Sequence, residues 1–156
     1  MAELKYVCLV LDTTKQENNT LVLQTMLGQW GWKLCQDAYK TEMSGMSQFK
    51  YPEEYFQVEP GYTVLAITED KRCIGFASLY AQIQTKTLVI GHVYVRPEYR
   101  GKGVYKTMVA RAEKFAKDIK MERMCAFVHR FNGGSMKAHH KLGFKQEMVG
   151  YFKEVK

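Results

Sequence analysis

Four consecutive residues, Arg100-Gly101-Lys102-Gly103, set two cations and two glycines directly ahead of a helical pattern. The chemistry such a loop can do is to hold an anion. The first N–H groups of a helix have no internal partner, and the aligned peptide dipoles place about half a positive charge there. Glycines let the main chain approach a phosphate closely, and Arg100 and Lys102 add full charges. A bare Gly-x-Gly also makes an ordinary strand-to-helix turn with glycines for geometry alone, so an activity needs a second, independent motif. The cysteines do not supply one. Cys8, Cys35, Cys73 and Cys125 lie far apart, with no Cys-x-x-Cys pair and no spaced histidines. They read as reduced, mostly buried thiols, and no metal site is expected.

The elements flanking the loop must position it. Residues 88–95 read as a buried strand and Arg96-Pro97 as a corner. Val104, Met108, Ala112, Phe115 and Ile119 then recur at helical spacing, with Lys106, Arg111, Glu113, Lys114 and Lys117 on the other face. Earlier in the chain, residues 5–11 form a first strand, Thr20 caps a helix over residues 21–29, and residues 32–39 make a second short helix. Residues 41–57 read as irregular, and Glu59-Pro60-Gly61 as a turn. Residues 62–68 and 73–81 pair as a hairpin across a tight connection at 69–72, and Thr85-Lys86 turns the chain into the central strand. After the helix, residues 124–128 form a short strand that a right-handed crossover lays parallel beside strand 88–95. Residues 135–142 form a short helix closed by Gly143, and residues 144–155 the last strand or strand pair.

The 156 residues, 46% of them apolar, suffice for one cored domain and not for two, so residues 1–156 are read as a single domain. No apolar run reaches the roughly 18 residues of a membrane span, and the first run is too short for a signal peptide; a cytoplasmic protein without membrane partners is expected. The net charge of +7 is unevenly placed. Residues 1–99 carry nine Lys/Arg against eleven Asp/Glu, while residues 100–156 carry fourteen against five, a net of −2 followed by +9. The basic part begins at the glycine loop, so an anionic ligand or partner is expected there; a polyphosphate cofactor and a nucleic acid both satisfy this.

Two stretches then resemble one family. Val95-x-Pro97-x-x-Arg100-Gly101-x-Gly103-Val104 resembles the acyl-CoA-binding signature of the GNAT superfamily of N-acetyltransferases, Arg/Gln-x-x-Gly-x-Gly/Ala after a Val-x-Pro strand end. Residues 132–144, NGGSMKAHHKLGF, resemble the family's Asn-x-x-Ala/Ser-x-x-x-Tyr/His-x-Lys-x-Gly-Phe segment at every spacing. Together they cover 23 of the 156 residues. The resemblance implies an α/β (α+β) acyl-CoA N-acyltransferase fold: a mixed, mostly antiparallel sheet splayed between two parallel central strands, with helices on both faces. It departs from the pattern at Tyr105, where the family carries Gly or Ala, and in a final segment that stops soon after Phe152.

The resemblance also implies a cofactor, acetyl-CoA, and a reaction, transfer of its acetyl group to a primary amine by direct attack on the thioester. The cofactor's diphosphate is expected on the amides of Gly101, Lys102, Gly103, Val104 and Tyr105, with Arg100 beside them, and its pantetheine arm on Val93, Tyr94 and Val95. Asn132 matches the asparagine that bonds that arm. Tyr105 must point away from the diphosphate or stack beside the adenine. His139 takes the position of the residue that protonates the leaving thiolate, or else only packs there. His92 is a candidate base, or a satisfied cleft histidine. Strand alternation sets His92 and Tyr94 on one face, with Gly91 and Val93 on the other, unless a bulge shifts that parity. His129 and His140 read as surface residues and Ser135 as a helix cap. Tyr51, Tyr55, Tyr80 and Tyr94 line the acceptor cleft or belong to the core. Glu42, Glu53, Glu54 and Glu59 attract a cationic amine or are simply solvated. The acceptor, a small molecule or a peptide, is not readable, and the oligomeric state is open, with a homodimer among the possibilities. The alternative is a non-catalytic module that binds nucleic acid or another polyanion through Lys106, Arg111, Lys114, Lys117 and Lys120.

Overall fold

The fold is that of a computed structural model, which describes residues 3–12, 31–46, 61–128, 132–153 and 155. Among these, five strands form one sheet in chain order: β1 (Tyr6–Asp12), β2 (Tyr62–Thr68), β3 (Cys73–Gln82), β4 (Thr87–Val95) and β5 (Arg123–Ala126). β1 to β4 are antiparallel neighbours, and β5 runs parallel to β4 as the crossover rule requires. The helices among the described residues are α1 (Trp32–Ser44), α2 (Val104–Asp118) and α3 (Gly133–Lys141), with one 3-10 turn at Pro97–Tyr99.

The sheet is covered on both faces, which is why β2 reads as an almost unbroken apolar run. On one face Val64, Ala77, Leu79, Leu88 and Ile90 pack with Val104, Met108, Ala112 and Ala116 of α2. On the other, Leu65, Ile67, Phe76 and Tyr94 pack with Cys35 and Tyr39 of α1. Each large side chain buried in these layers contributes about 1.5–3 kcal/mol.

One irregularity decides where the central strand sends its side chains. In the β3–β4 ladder Ala77 pairs with Val93 but Leu79 pairs with Ile90, so Ser78 faces both Gly91 and His92. The Ser78 hydroxyl accepts the His92 N–H at 2.7 Å. A Cβ at Gly91 would stand 2.7 Å from that oxygen, so any other residue would push the hydroxyl off the His92 N–H. The bulge shifts the strand's parity. Leu88 and Ile90 face α2 and are followed on that side by Val93 and Val95, whereas Tyr94 joins the α1 layer and His92 reaches Tyr39 of α1.

Three expectations change. α1 runs on through Thr41–Ser44, part of the stretch expected to be irregular, because Tyr39 and Met43 extend the stripe it lays on the sheet. No strand forms over residues 144–153. The apolar residues there come in pairs, Met148-Val149 and Tyr151-Phe152, not in alternation, so no single face can be buried; Tyr151 and Phe152 are both 92% exposed. Arg111 leaves the solvent face of α2, with its Nη1 buried. The helix expected over 21–29 with its Thr20 cap, together with Tyr51, Tyr55, Glu53, Glu54, Glu59 and His129, lies outside the described residues. Among the described residues no helix is long and apolar enough to cross a membrane, and no three His, Cys, Asp or Glu side chains gather as a metal centre would need.

Candidate active site

β5 pairs with β4 only from Thr87 to Ile90, and β4 runs on for five more residues without it. The Arg96 N–H donates to the Ile74 carbonyl of β3 at 2.9 Å. Antiparallel alternation therefore turns the main-chain groups of Val93 and Val95 to the opposite edge, into the opening left by β5. Buried main-chain groups require partners. The Val95 carbonyl has one, the Arg100 Nε–H, which donates to it at 2.8 Å.

The glycine loop closes the same corner. Gly101 and Gly103 have φ of 74° and 80°, in the left-handed region that glycine enters without strain, and no described residue beyond the chain neighbours lies within 4 Å of where a Cβ would stand on either. Gly103 is the N-cap of α2 and has no capping side chain, so the first-turn N–H groups, those of Val104 and Tyr105 included, stand at an open helix end. The side chains behave less simply. Arg100 sends Nη2 to both carboxylate oxygens of Glu42 on α1, at 3.0 and 2.9 Å, and lies over the Tyr94 ring, 5.4 Å from its centroid. The charge expected to serve the loop is thus engaged with α1. Lys102 remains at the loop, its Nζ 5.7 Å from the centroid of Tyr99.

On the α1 side, His92 is half-buried and its Nδ1 lies 2.5 Å from the hydroxyl of Tyr39. Tyr39 is 4% exposed and sits among Phe76, Tyr94 and the imidazole, with ring centroids 5.4–5.9 Å away. Burial lowers the pKa of His92 below the usual histidine range, which keeps the ring neutral and able to accept a proton. Sequence reasoning missed Tyr39. The available signal was its place four residues after Cys35 and four before Met43, on the stripe α1 buries.

On the α2 side, His139 is 8% exposed. Its Nδ1 lies 2.7 Å from the Ser135 carbonyl. A carbonyl only accepts, so Nδ1 carries a hydrogen, and Nε2 of the neutral ring is left to accept the hydroxyl of Tyr105 at 2.5 Å. Tyr105 therefore points neither to solvent nor along the loop; it bridges the start of α2 to α3. Burial raises its phenol pKa, so the proton stays on the oxygen. Asn132 caps α3, its Oδ1 accepting the Ser135 N–H at 3.1 Å, a role expected of Ser135 itself. His140 is exposed, as expected of a surface residue, and Tyr80 is 48% exposed near the far end of β3.

A central strand that outruns its parallel neighbour beside a glycine-opened helix end defines a class, and the comparisons agree with it. The chain belongs to the acetyltransferase (GNAT) family, whose model matches residues 29–144. Among curated proteins it is similar to a spermidine N(1)-acetyltransferase of Thermoplasma acidophilum, 33% identical over 78 residues. That match covers 50% of this chain, which spans about half (47%) of the relative's length. Among solved structures, an aminoglycoside N-acetyltransferase in complex with CoA superposes with a TM-score of 0.64 at 18% identity, over 98% of this chain and 97% of the other. An aminoglycoside acetyltransferase from a soil metagenomic sample, in complex with sisomicin, gives 0.61 at 12% identity over 97% of each chain. At such identities these two show the fold.

Coenzyme A is the group that goes with this fold, and the residues present fit it. Main chain turned outward at Val93 and Val95 offers partners for an amide-bearing arm, and Gly101 and Gly103 before the helix end offer room for a diphosphate.

Proposed function

We propose that the chain is an acetyl-CoA-dependent N-acetyltransferase that moves the acetyl group to a primary amine by direct attack on the thioester. Its acceptor is a small amine bearing more than one positive charge. The observation that carries the reading is the outward-turned edge at Val93 and Val95 next to the open N-terminus of α2. When bound, acetyl-CoA supplies an activated acyl group. Val93, Tyr94 and Val95 would hold its arm, with Asn132 at the head of α3, and the amides of Gly101, Lys102, Gly103, Val104 and Tyr105 its diphosphate.

An attacking amine must be neutral and must give up a proton, and the departing sulfur must gain one. His92 accepts the amine's proton, with burial keeping the imidazole unprotonated and Tyr39 fixing the ring. On the other side, the His139–Tyr105 pair holds the proton for the sulfur; at rest that proton is on Tyr105 Oη. The acceptor class is supported by the acceptors named for its relatives, spermidine and aminoglycosides, and by the acidic excess of residues 1–99. The alternative, a nucleic-acid module, rests on charge alone. Among the described residues the cationic face of α2 is interrupted: Lys117 pairs with Glu113 at 3.4 Å, and Arg111 turns inward.

Gly103→Glu tests the reading, because it sets a carboxylate where the diphosphate is expected. Calorimetry should show coenzyme A binding abolished. Gly103→Asn shares the left-handed backbone strain, about 1–2 kcal/mol, without the charge, and should still bind. Undiminished binding by a folded Gly103→Glu protein removes the assignment.

A further inference from the structure

Arg100 does three things at once, and each concerns a group the reaction would need elsewhere. Its Nε–H covers the Val95 carbonyl, one of the main-chain groups turned to the open edge. Its Nη2 holds both oxygens of Glu42. Its charge rests on the ring of Tyr94 instead of on the glycine loop it begins. Glu42 in turn is one helical step, three residues, beyond Tyr39, so α1 presents both to the same side, where Tyr39 reaches His92. Burial and then the Glu42 carboxylate push the phenol of Tyr94 up, which places that carboxylate beside the same aromatic floor. The side chains of Arg100 and Glu42 are 45% and 32% exposed, so neither is locked in the interior.

We propose that Glu42 is the acceptor-recognising carboxylate of this enzyme, taking the second ammonium of a di- or polyamine, and that Arg100 masks it until coenzyme A binds. The argument is one of exchange. An amide donor on the ligand that pairs with Val95 displaces the Arg100 Nε–H from that carbonyl, and an anion at Gly101–Gly103 gives the freed guanidinium a new partner. Glu42 is then a half-buried carboxylate without its cation, three residues from the tyrosine that holds the proposed base. A diamine fits that geometry, with one nitrogen neutral at His92 and the other charged at Glu42. Without the cofactor, the Arg100–Glu42 pair closes the same place to a cation. The inference rests on the transferase reading but makes a separate demand on one side chain.

The test is coenzyme A binding followed by acceptor choice in Glu42→Gln, with Asp37→Asn, an exposed acid on the same helix, as the control for general charge. Glu42→Gln should bind coenzyme A about two- to fivefold more tightly, as expected from releasing a partly exposed ion pair, and Asp37→Asn should match the wild type. With acetyl-CoA saturating, the wild type should prefer a linear diamine over the monoamine of equal length, and Glu42→Gln should lose that preference through KM, not kcat. Arg100→Lys, which keeps the charge but cannot span Val95 and Glu42 together, should also bind coenzyme A more tightly while retaining the preference. Equal coenzyme A affinity in wild type and Glu42→Gln overturns the exchange, and an intact diamine preference in Glu42→Gln overturns the recognition role. A wild-type protein that binds no coenzyme A defeats the transferase reading itself and the exchange with it.

Discussion

Two tyrosine–histidine pairs stand on opposite sides of the sheet, each closed at 2.5 Å, and they are built by different means. Tyr39 and His92 meet because α1 packs across the sheet onto the far half of β4; nothing local brings them together. His139 is fixed first by its own helix, through the Ser135 carbonyl four residues back, and Tyr105 then reaches it from the head of α2. The lesson is about protons. The α1-side ring is half-buried with its pKa lowered, an arrangement for accepting. The α2-side ring has its N–H turned to a carbonyl and its lone pair on a phenol that burial keeps protonated, an arrangement for holding a proton to be given.

That contrast can be broken in order of effect. His139→Ala should cut kcat by about 10²–10³ while coenzyme A affinity, read by calorimetry, stays within twofold, the size expected when a proton donor loses the group that positions it. Unchanged turnover would reduce the α2-side pair to scaffolding. Tyr105→Phe sharpens the same side: it removes the proton the pair holds at rest and should lower kcat as far as His139→Ala does, while the lost hydrogen bond to His139 Nε2 should cost about 1–2 kcal/mol of stability in chemical denaturation. Turnover well above that of His139→Ala would give the leading role to the histidine. Tyr39→Phe should lower kcat/KM about tenfold by loosening the base. The pH profile tests the same side: the active form of His92 is the neutral one, so the acid limb of wild-type kcat, read with acceptor saturating so that the free amine's own ionisation drops out, must fall below about 6.5, the ordinary histidine value. A limb at or above that value would exclude His92 as the base.

The sequence carried the parts of this site whose reason is local. The glycines of the 100–103 loop, the apolar stripe from Val104 to Ala112 and the strand-to-helix order all rest on spacing within a few residues, and the structure has them at those positions. Partnerships across the sheet were not legible. Gly91 resists a side chain only because Ser78 lies opposite, and Tyr39 matters only because the bulge sends His92 toward it. Arg100 was read for its charge beside the loop, yet a long flexible side chain goes to whichever partner the fold brings closest, and that partner is on α1. The last segment was read from apolar content, where the spacing of its apolar pairs was the better guide.

The single extra residue at Gly91-His92 makes β4 two strands in one. Up to Ile90 its side chains stitch the α2 layer, and after the bulge the inward and outward positions trade places. Regular alternation with every residue kept would drive an imidazole and a phenol in among Val104 and Met108 and leave valines facing Tyr39, whereas the two residues opposite Ser78 let both layers keep their own side chains. An exposed glycine at the surface thus marks the step at which even-numbered side chains pass from one layer of the core to the other.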